Sequence, residues 1–388
     1  MIGRRATMRI GRFPFGRRSG RMGRLTTGTT KEETMSVPTT DSWMYRTMHR
    51  QPDDVRRLLD EGWGPAEQAA GMLGGARRVY VVGIGTSYHA ALEGAWLLRA
   101  AGSDARAVDS FDFARYPAAA DVAQDDAVIV MAHSGVKRYS SEALERASRA
   151  GASVISVGSL TAEHPGSQLV LRTVEREKSA AFTSSHLGAM TVLAQVATTL
   201  GEGRGAEGVA GFRDALGRLP EQLENVLARE DDILPVAREA VDRLVYAAGA
   251  GPSAVSALEA VIKVREAAYG RIDALPVEQF LHGPIVTVNA EDLTILVNVP
   301  GPGAERIAEV AKVLAAIGTP LWLVGQAIAG VEATVFPVPE TVELISPIVT
   351  TVPMQLLAYH VAVLKGLNPD TFRRDNPTYA AAFGLIKL

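Results

Sequence analysis

A chain of 388 residues exceeds one ordinary core and suits two domains of typical size. With 47% hydrophobic and 21% charged residues it belongs with globular proteins, and its net charge of −3 excludes a nucleic-acid partner on electrostatic grounds. It holds no cysteine, which excludes a thiol nucleophile, a Cys-ligated zinc and a disulfide framework, and fits a reducing cytoplasm. The longest apolar runs are interrupted by Gly, Pro or charge before the roughly 18 to 20 residues of a membrane span, so no membrane partner is expected.

In chain order, residues 1–35 come first, with eight arginines among Gly, Phe and Ser up to Leu25. They are predicted to be a disordered extension, with Met35 a natural beginning. A targeting peptide or a basic arm is the other reading. Val79-Tyr80-Val81-Val82 is a short apolar run closed by Gly83-x-Gly85, followed by a helical pattern, so a buried strand feeds a helix through a tight loop. The third glycine of a dinucleotide fingerprint is absent, since Tyr88 stands in its place. Thr86 and Ser87 fall where the helix begins, either as caps or, with the free backbone N–H groups there, as an anion site.

Ala127 to Met131 and Ser153 to Val157 read as buried strands around a helix from Ser140 to Ala150. The loop Ala132-His133-Ser134-Gly135-Val136-Lys137 follows the first of them, at the sheet edge where ligands of doubly wound folds bind. Ser179-Ala180-Ala181-Phe182-Thr183-Ser184-Ser185 adds hydroxyls ahead of another helix. Three hydroxyl-bearing loops point to a small anionic ligand. Lys137 either joins them or begins a solvated helix. Gly201 to Gly211, rich in Gly and charge, reads as a linker.

Beyond it the chain repeats itself. Val79 to Glu93 returns as Val245 to Glu259, an ungapped offset of 166 residues with Gly-x-Gly kept. Leu293 to Val297 and Leu321 to Val324 are predicted strands around a helix near Ala304 to Ile317. Alternating strands and helices imply parallel sheets with right-handed crossovers. The predicted architecture is α/β, two doubly wound parallel-sheet domains in tandem at about 55–205 and 230–365, then a tail from 366 to 388.

Gly85-Thr86-Ser87, His133-Ser134-Gly135, Ala181-Phe182-Thr183, Ala257-Leu258-Glu259 through Lys263-Val264-Arg265-Glu266 to Leu281-His282-Gly283-Pro284, and Pro353 to His360 fall in one order. That order resembles the SIS (sugar isomerase) family, in the pattern of the isomerase half of glucosamine-6-phosphate synthase. The resemblance implies two SIS domains, a small anionic sugar as ligand, Glu266 as the proton-transfer carboxylate and His282 as the ring-opening residue. It implies that His282 serves a neighbouring subunit's site, so that a homodimer is the least competent unit. Gly85, Thr86, Ser87, His133, Ser134, Lys137, Ser179, Thr183 and Lys263 are the expected substrate contacts. A single carboxylate can carry the proton between C1 and C2, so neither metal nor other cofactor is called for.

Three departures shape the reaction expected. No glutaminase domain precedes the SIS unit, and there is no cysteine to start one, so glutamine hydrolysis is not expected. The family's tail lysine aligns with Ala382, with Lys387 five residues on, which places Schiff-base chemistry in doubt. Where the family usually has Ser-x-Ser with a following Thr, this chain has Ala132, His133, Ser134 and then Lys137, so two neutral hydroxyls are lost and cationic groups gained, and phosphate and sulfonate are both open as the terminal anion. The leading expectation is an aldose–ketose isomerase of a 6-anionic hexose. An amino-sugar-phosphate deaminase and a non-catalytic sugar-phosphate sensor stay open. Taken alone, Lys263 and Glu266 at i, i+3 would read as a surface ion pair, and Glu259 and Glu93 as structural.

Overall fold

The computed structural model describes residues 41–135 and 137–386. The stretch 1–35, Met35 and Lys387 lie outside the described residues. Runs of four to six residues, Val- and Ile-rich at the centre, form the first parallel sheet: β1 (Val79–Gly83), β2 (Ala105–Asp109), β3 (Ala127–Met131), β4 (Ser153–Gly158) and β5 (Leu169–Arg172), in the order β2-β1-β3-β4-β5. The second comprises β6 (Val245–Gly249), β7 (Ile272–Pro276), β8 (Leu293–Asn298), β9 (Leu321–Gly325) and β10 (Thr334–Phe336), and reads β7-β6-β8-β9-β10. The strand order is the same in both, and so is the central register: Val79 pairs Ala127 and Val245 pairs Leu293.

Every strand predicted from an apolar run is present. The four that were not predicted, β2, β5, β7 and β10, are the four sheet edges. An edge strand is covered on fewer sides, and β2 (Ala-Arg-Ala-Val-Asp) has only its first residue buried, so no apolar run announces it.

The turn after the first strand of each sheet requires glycine for contact. A Cβ on Gly83 would stand 2.3 Å from the Ser87 carbonyl oxygen, and one on Gly249 would stand 2.4 Å from that of Ser253. The following helices, Thr86–Ala100 and Ala254–Ala268, therefore begin hard against their strands.

Two long apolar helices close the interior, Ser184–Arg204 against Thr86–Ala100 and Ser346–Leu364 against Ala254–Ala268. Both are apolar on nearly all faces, the pattern of a helix enclosed by protein. The second corrects the sequence reading: Glu343–Leu364 is 22 residues with mean hydropathy 1.4, long and apolar enough to cross a membrane, yet 89% of that window is buried within the protein. Gly201–Gly211 is less of a linker than expected, because Gly201 to Arg204 complete a buried helix and Phe212 opens the next. One buried apolar cluster runs from Met44 through both sheets to Ala362.

The tail is fastened at Asp370. Its carboxylate accepts from the backbone N–H groups of Trp43 (2.7 Å) and Met44 (2.9 Å), capping the Trp43–Glu61 helix, and its carbonyl accepts from Ala180 N–H. The end of the chain is thereby held beside the loop at 177–183.

Glu93 exposes a difference between the two copies. Its carboxylate is fully buried with neither oxygen partnered among the described residues, and burial pushes its pKa well above the ordinary value. Its repeat counterpart Glu259 holds Thr86 and His89, whereas the positions matching those two are Pro252 and Val255, which offer no hydrogen bond. A raised folded-state pKa contributes stability that is complete below the unfolded value near 4.5 and is lost as pH rises toward the folded one. Glu93→Met is accordingly expected to stabilise the protein by about 1–3 kcal/mol at pH 8, with the gain shrinking toward pH 4.5. Urea midpoints at the two pH values measure it, and an unchanged or lower midpoint at pH 8 would refute it.

Candidate active site

Gly85 takes φ +59° and turns the chain from β1 into the Thr86–Ala100 helix, which starts with two hydroxyl residues. Thr86 Oγ1 donates to Glu259 Oε1 at 3.1 Å, and His89 Nδ1 meets Glu259 Oε2 at 2.7 Å. The first loop is thus bound directly to the helix that carries the second copy's acidic residues.

Thr86, Ser87, His133, Phe182, Ser185 and His186 line a small pocket, about 20 Å³ in cavity volume, above the ends of β3 and β4. His133 packs edge-on against Phe182 with ring centroids 5.2 Å apart. Neither ring nitrogen of His133 or of His186 finds a hydrogen-bond partner among the described residues. Burial lowers the pKa of His133, against an opposing pull from Glu177. Burial lowers that of His186 to about 4. Both rings are therefore neutral at pH 7.

Behind this pocket a row of charges runs along one helix at i, i+4 and i+7. Lys263 Nζ lies 3.5 Å from Glu259 Oε1 and 2.7 Å from Glu266 Oε2, and the lysine is 1% exposed. The surface ion pair that the spacing alone implies is therefore a buried one. Burial by itself raises the Glu259 pKa, but His186, Lys263 and His89 more than reverse this and hold it to about 2. Burial also opposes the charge on Lys263, and Glu266 and Glu259 outweigh it, raising the pKa. Glu266 behaves differently: burial raises its pKa, and Lys263 offsets only part of that.

The Glu266 side chain, 22% exposed, faces a second cavity of about 600 Å³ together with Arg265, Tyr269, Phe372, Arg373, Tyr379 and Phe383. The Arg373 guanidinium stacks on the rings of Tyr379 (3.9 Å) and Tyr269 (4.9 Å). The three non-glycine residues described at positive φ are Tyr269, Phe372 and Arg373, and all three line this cavity. Backbone strain of this kind gathers where a site dictates side-chain direction.

Several expected contacts fall elsewhere. Thr183 is buried, and its hydroxyl donates to Glu177 Oε2 at 3.1 Å and pairs with Thr47 at 2.9 Å. The Ser179 hydroxyl accepts from Ala181 N–H within the turn. Glu177, just ahead of them in the chain, is a buried brace that accepts from Thr183 N–H and Ser185 N–H. Lys137 is an exposed residue at the N-terminus of the Arg138–Arg149 helix, and Ser134 is half-buried in the same loop; neither lines the pocket above β3 and β4. The His282 side chain is 77% exposed and lies 3.4 Å from Glu278 on its own turn, with no described contact to Glu266. Ala382 is exposed on the short Pro377–Phe383 helix.

Sequence reading passed over His89, His186 and the tail aromatics. His186 sits in the run Ser-Ser-His-Leu-Gly-Ala-Met, and a lone polar ring in so apolar a helix was the only signal it offered.

Residues 72–199 match the model of the SIS domain family. The chain as a whole resembles the isomerase half of glutamine–fructose-6-phosphate aminotransferase. It is 30% identical over 353 residues to the isomerizing enzyme of that name from Pseudomonas aeruginosa, across 84% of this chain and 57% of that protein. It spans about half the length of the curated relatives it matches. The C-terminal domain of glucosamine-fructose-6-phosphate aminotransferase from Francisella tularensis superposes with a TM-score of 0.78 at 17% identity, over 86% of this chain and all of that one. Tagatose-6-phosphate ketose/aldose isomerase from Escherichia coli gives 0.71 at 17% identity, over 88% and 98%.

Proposed function

We propose that this protein is an aldose–ketose isomerase for a hexose carrying an anionic group at C6. The carrying observation is the continuous path from the hydroxyl- and imidazole-lined pocket through Glu259 and buried Lys263 to Glu266, whose pKa burial raises and which faces an open cavity. A carboxylate with its pKa raised toward neutrality suits a group that must accept and return a proton. In this reading Glu266 removes the proton from the carbon beside the carbonyl, an enediol forms, and the same carboxyl returns the proton to the neighbouring carbon. The C6 anion sits among Thr86, Ser87 and the His133 loop. The second sheet, which repeats the first in order and register, is a second SIS domain. His282, exposed and with no described contact to its own Glu266, opens the sugar ring in the site of a second copy, so the working unit is a homodimer.

Proton NMR in D₂O tests this with glucose 6-phosphate, fructose 6-phosphate, glucosamine 6-phosphate and 6-sulfoglucose. Conversion with deuterium entry at C1 or C2 is the expected result. Ammonia release from glucosamine 6-phosphate would move the reading to a deaminase. Binding without exchange in any of the four would overturn the enzymatic reading in favour of a sensor.

A further inference from the structure

We propose that His186, paired with His133, is an anion-coordinating and specificity-determining residue of the pocket above β3 and β4, and that an imidazole takes up a proton when the anion enters. This rests on the reading of that pocket as the anion site.

The geometry carries the proposal. His186 is 2% exposed on the first turn of the Ser184–Arg204 helix and lines the pocket beside Ser185. His133 lines it from the end of β3. Four buried ring nitrogens thus border one pocket without a partner among the described residues, whereas buried polar atoms are nearly always hydrogen-bonded. Among the described residues, the other polar side chains lining it are hydroxyls, and no lysine, arginine or carboxylate lines it. The Thr86 and Thr173 hydroxyls already donate to Glu259 and to the Gly158 carbonyl, so an oxyanion placed there would meet the hydroxyls of Ser87 and Ser185 and two imidazoles, each imidazole offering a charge-assisted hydrogen bond only once protonated.

The surroundings decide the direction of that proton transfer. His186 is faced by Glu259 and Lys263 from the Ala254–Ala268 helix, by His89 from the Thr86–Ala100 helix and by Glu177 from the loop before its own helix. His133 is faced by Glu177 and Arg176, and His164 lies near enough to feel it. Burial keeps both rings neutral, and an added negative charge opposes that effect. A ligand held in this way is a fully ionised oxyanion ester or sulfonate, and its affinity rises as pH falls.

Calorimetric titration with sulfate between pH 5 and 8 tests the idea, because sulfate stays doubly charged over that range while phosphate titrates. The heat of binding is expected to vary with the ionisation enthalpy of the buffer, reporting up to one proton taken up. Affinity should fall about tenfold per pH unit where uptake is complete. His186→Gln keeps a hydrogen-bonding group but cannot be charged, and is expected to flatten this slope. A slope in His186→Gln equal to that of the native protein would overturn the assignment of His186. Should that variant misfold, ¹⁵N-histidine spectra of the native protein supply the same answer, since sulfate is expected to move a buried imidazole to its charged form. Sulfate binding with no proton uptake overturns this inference alone. Failure of both sulfate and glucose 6-phosphate to bind overturns the anion-pocket reading and this inference with it.

Discussion

Glu266→Gln is expected to lower turnover by about 10²–10⁴-fold while leaving the affinity for a hexose 6-phosphate largely intact. The carboxyl of Glu266 faces the 600 Å³ cavity and carries none of the groups that line the anion pocket, so the change removes a proton carrier without touching the anion's contacts. Glutamine keeps the shape and a hydrogen-bond acceptor for Lys263, now 2.7 Å from the carboxylate. Deuterium incorporation at C1 and C2, measured beside calorimetric affinity, separates the two effects. Unchanged exchange would remove Glu266 from the reaction, and a parallel collapse of affinity would make it a binding residue instead.

Lys263→Met is expected to destabilise the protein by about 3–5 kcal/mol, because it leaves two carboxylates on one buried helix face without their cation. Glu259 and Glu266 both lie against the ammonium, at 3.5 and 2.7 Å, and at 1% exposure water cannot take its place. The cost has a defined pH dependence. Without the lysine both carboxyl pKa values rise, so the folded state binds protons that the unfolded state releases above the ordinary carboxylate range. The loss of stability therefore grows as pH rises and shrinks as pH falls toward 4.5. Urea unfolding of the single variant and of Glu266→Gln/Lys263→Met measures this, and the double variant is expected to recover part of the loss. A single-variant cost under 1 kcal/mol at pH 8 would mean that the row is more hydrated than its burial implies.

The same row shows how far residue spacing reaches. Lys263 and Glu266 at i, i+3 describe an ion pair on a helix, and spacing is blind to what covers that helix. Burial comes from the Thr86–Ala100 and Ser346–Leu364 helices, the first of which arrives from more than 150 residues upstream in the chain. The contact of Thr86 and His89 with Glu259 is of this long-range kind, and it changes Glu259 from a structural residue into the bridge between the two copies. Thr183 moved the other way. Its hydroxyl matched a motif, but Glu177 claims it, and Ser185 lines the pocket instead.

The amino-acid sequence by itself determined what depends on neighbours along the chain. The central strands β1, β3, β4, β6, β8 and β9 are short apolar runs, since each is buried on both faces. The repeat is legible because Gly83 and Gly249 meet the same steric demand 166 residues apart. The positions of Thr86, His133, Lys263, Glu266 and His282 on their loops and helices follow from the same local patterns. Only the tertiary structure decided which of these side chains meet. The edge strand β2 carries no apolar run, His186 became a pocket residue through the packing of its helix, and the tail aromatics reached Glu266 because Asp370 fastens the tail to the first helix. Such contacts bring together residues far apart in the chain, and their energy depends on burial, which no local pattern of residues records.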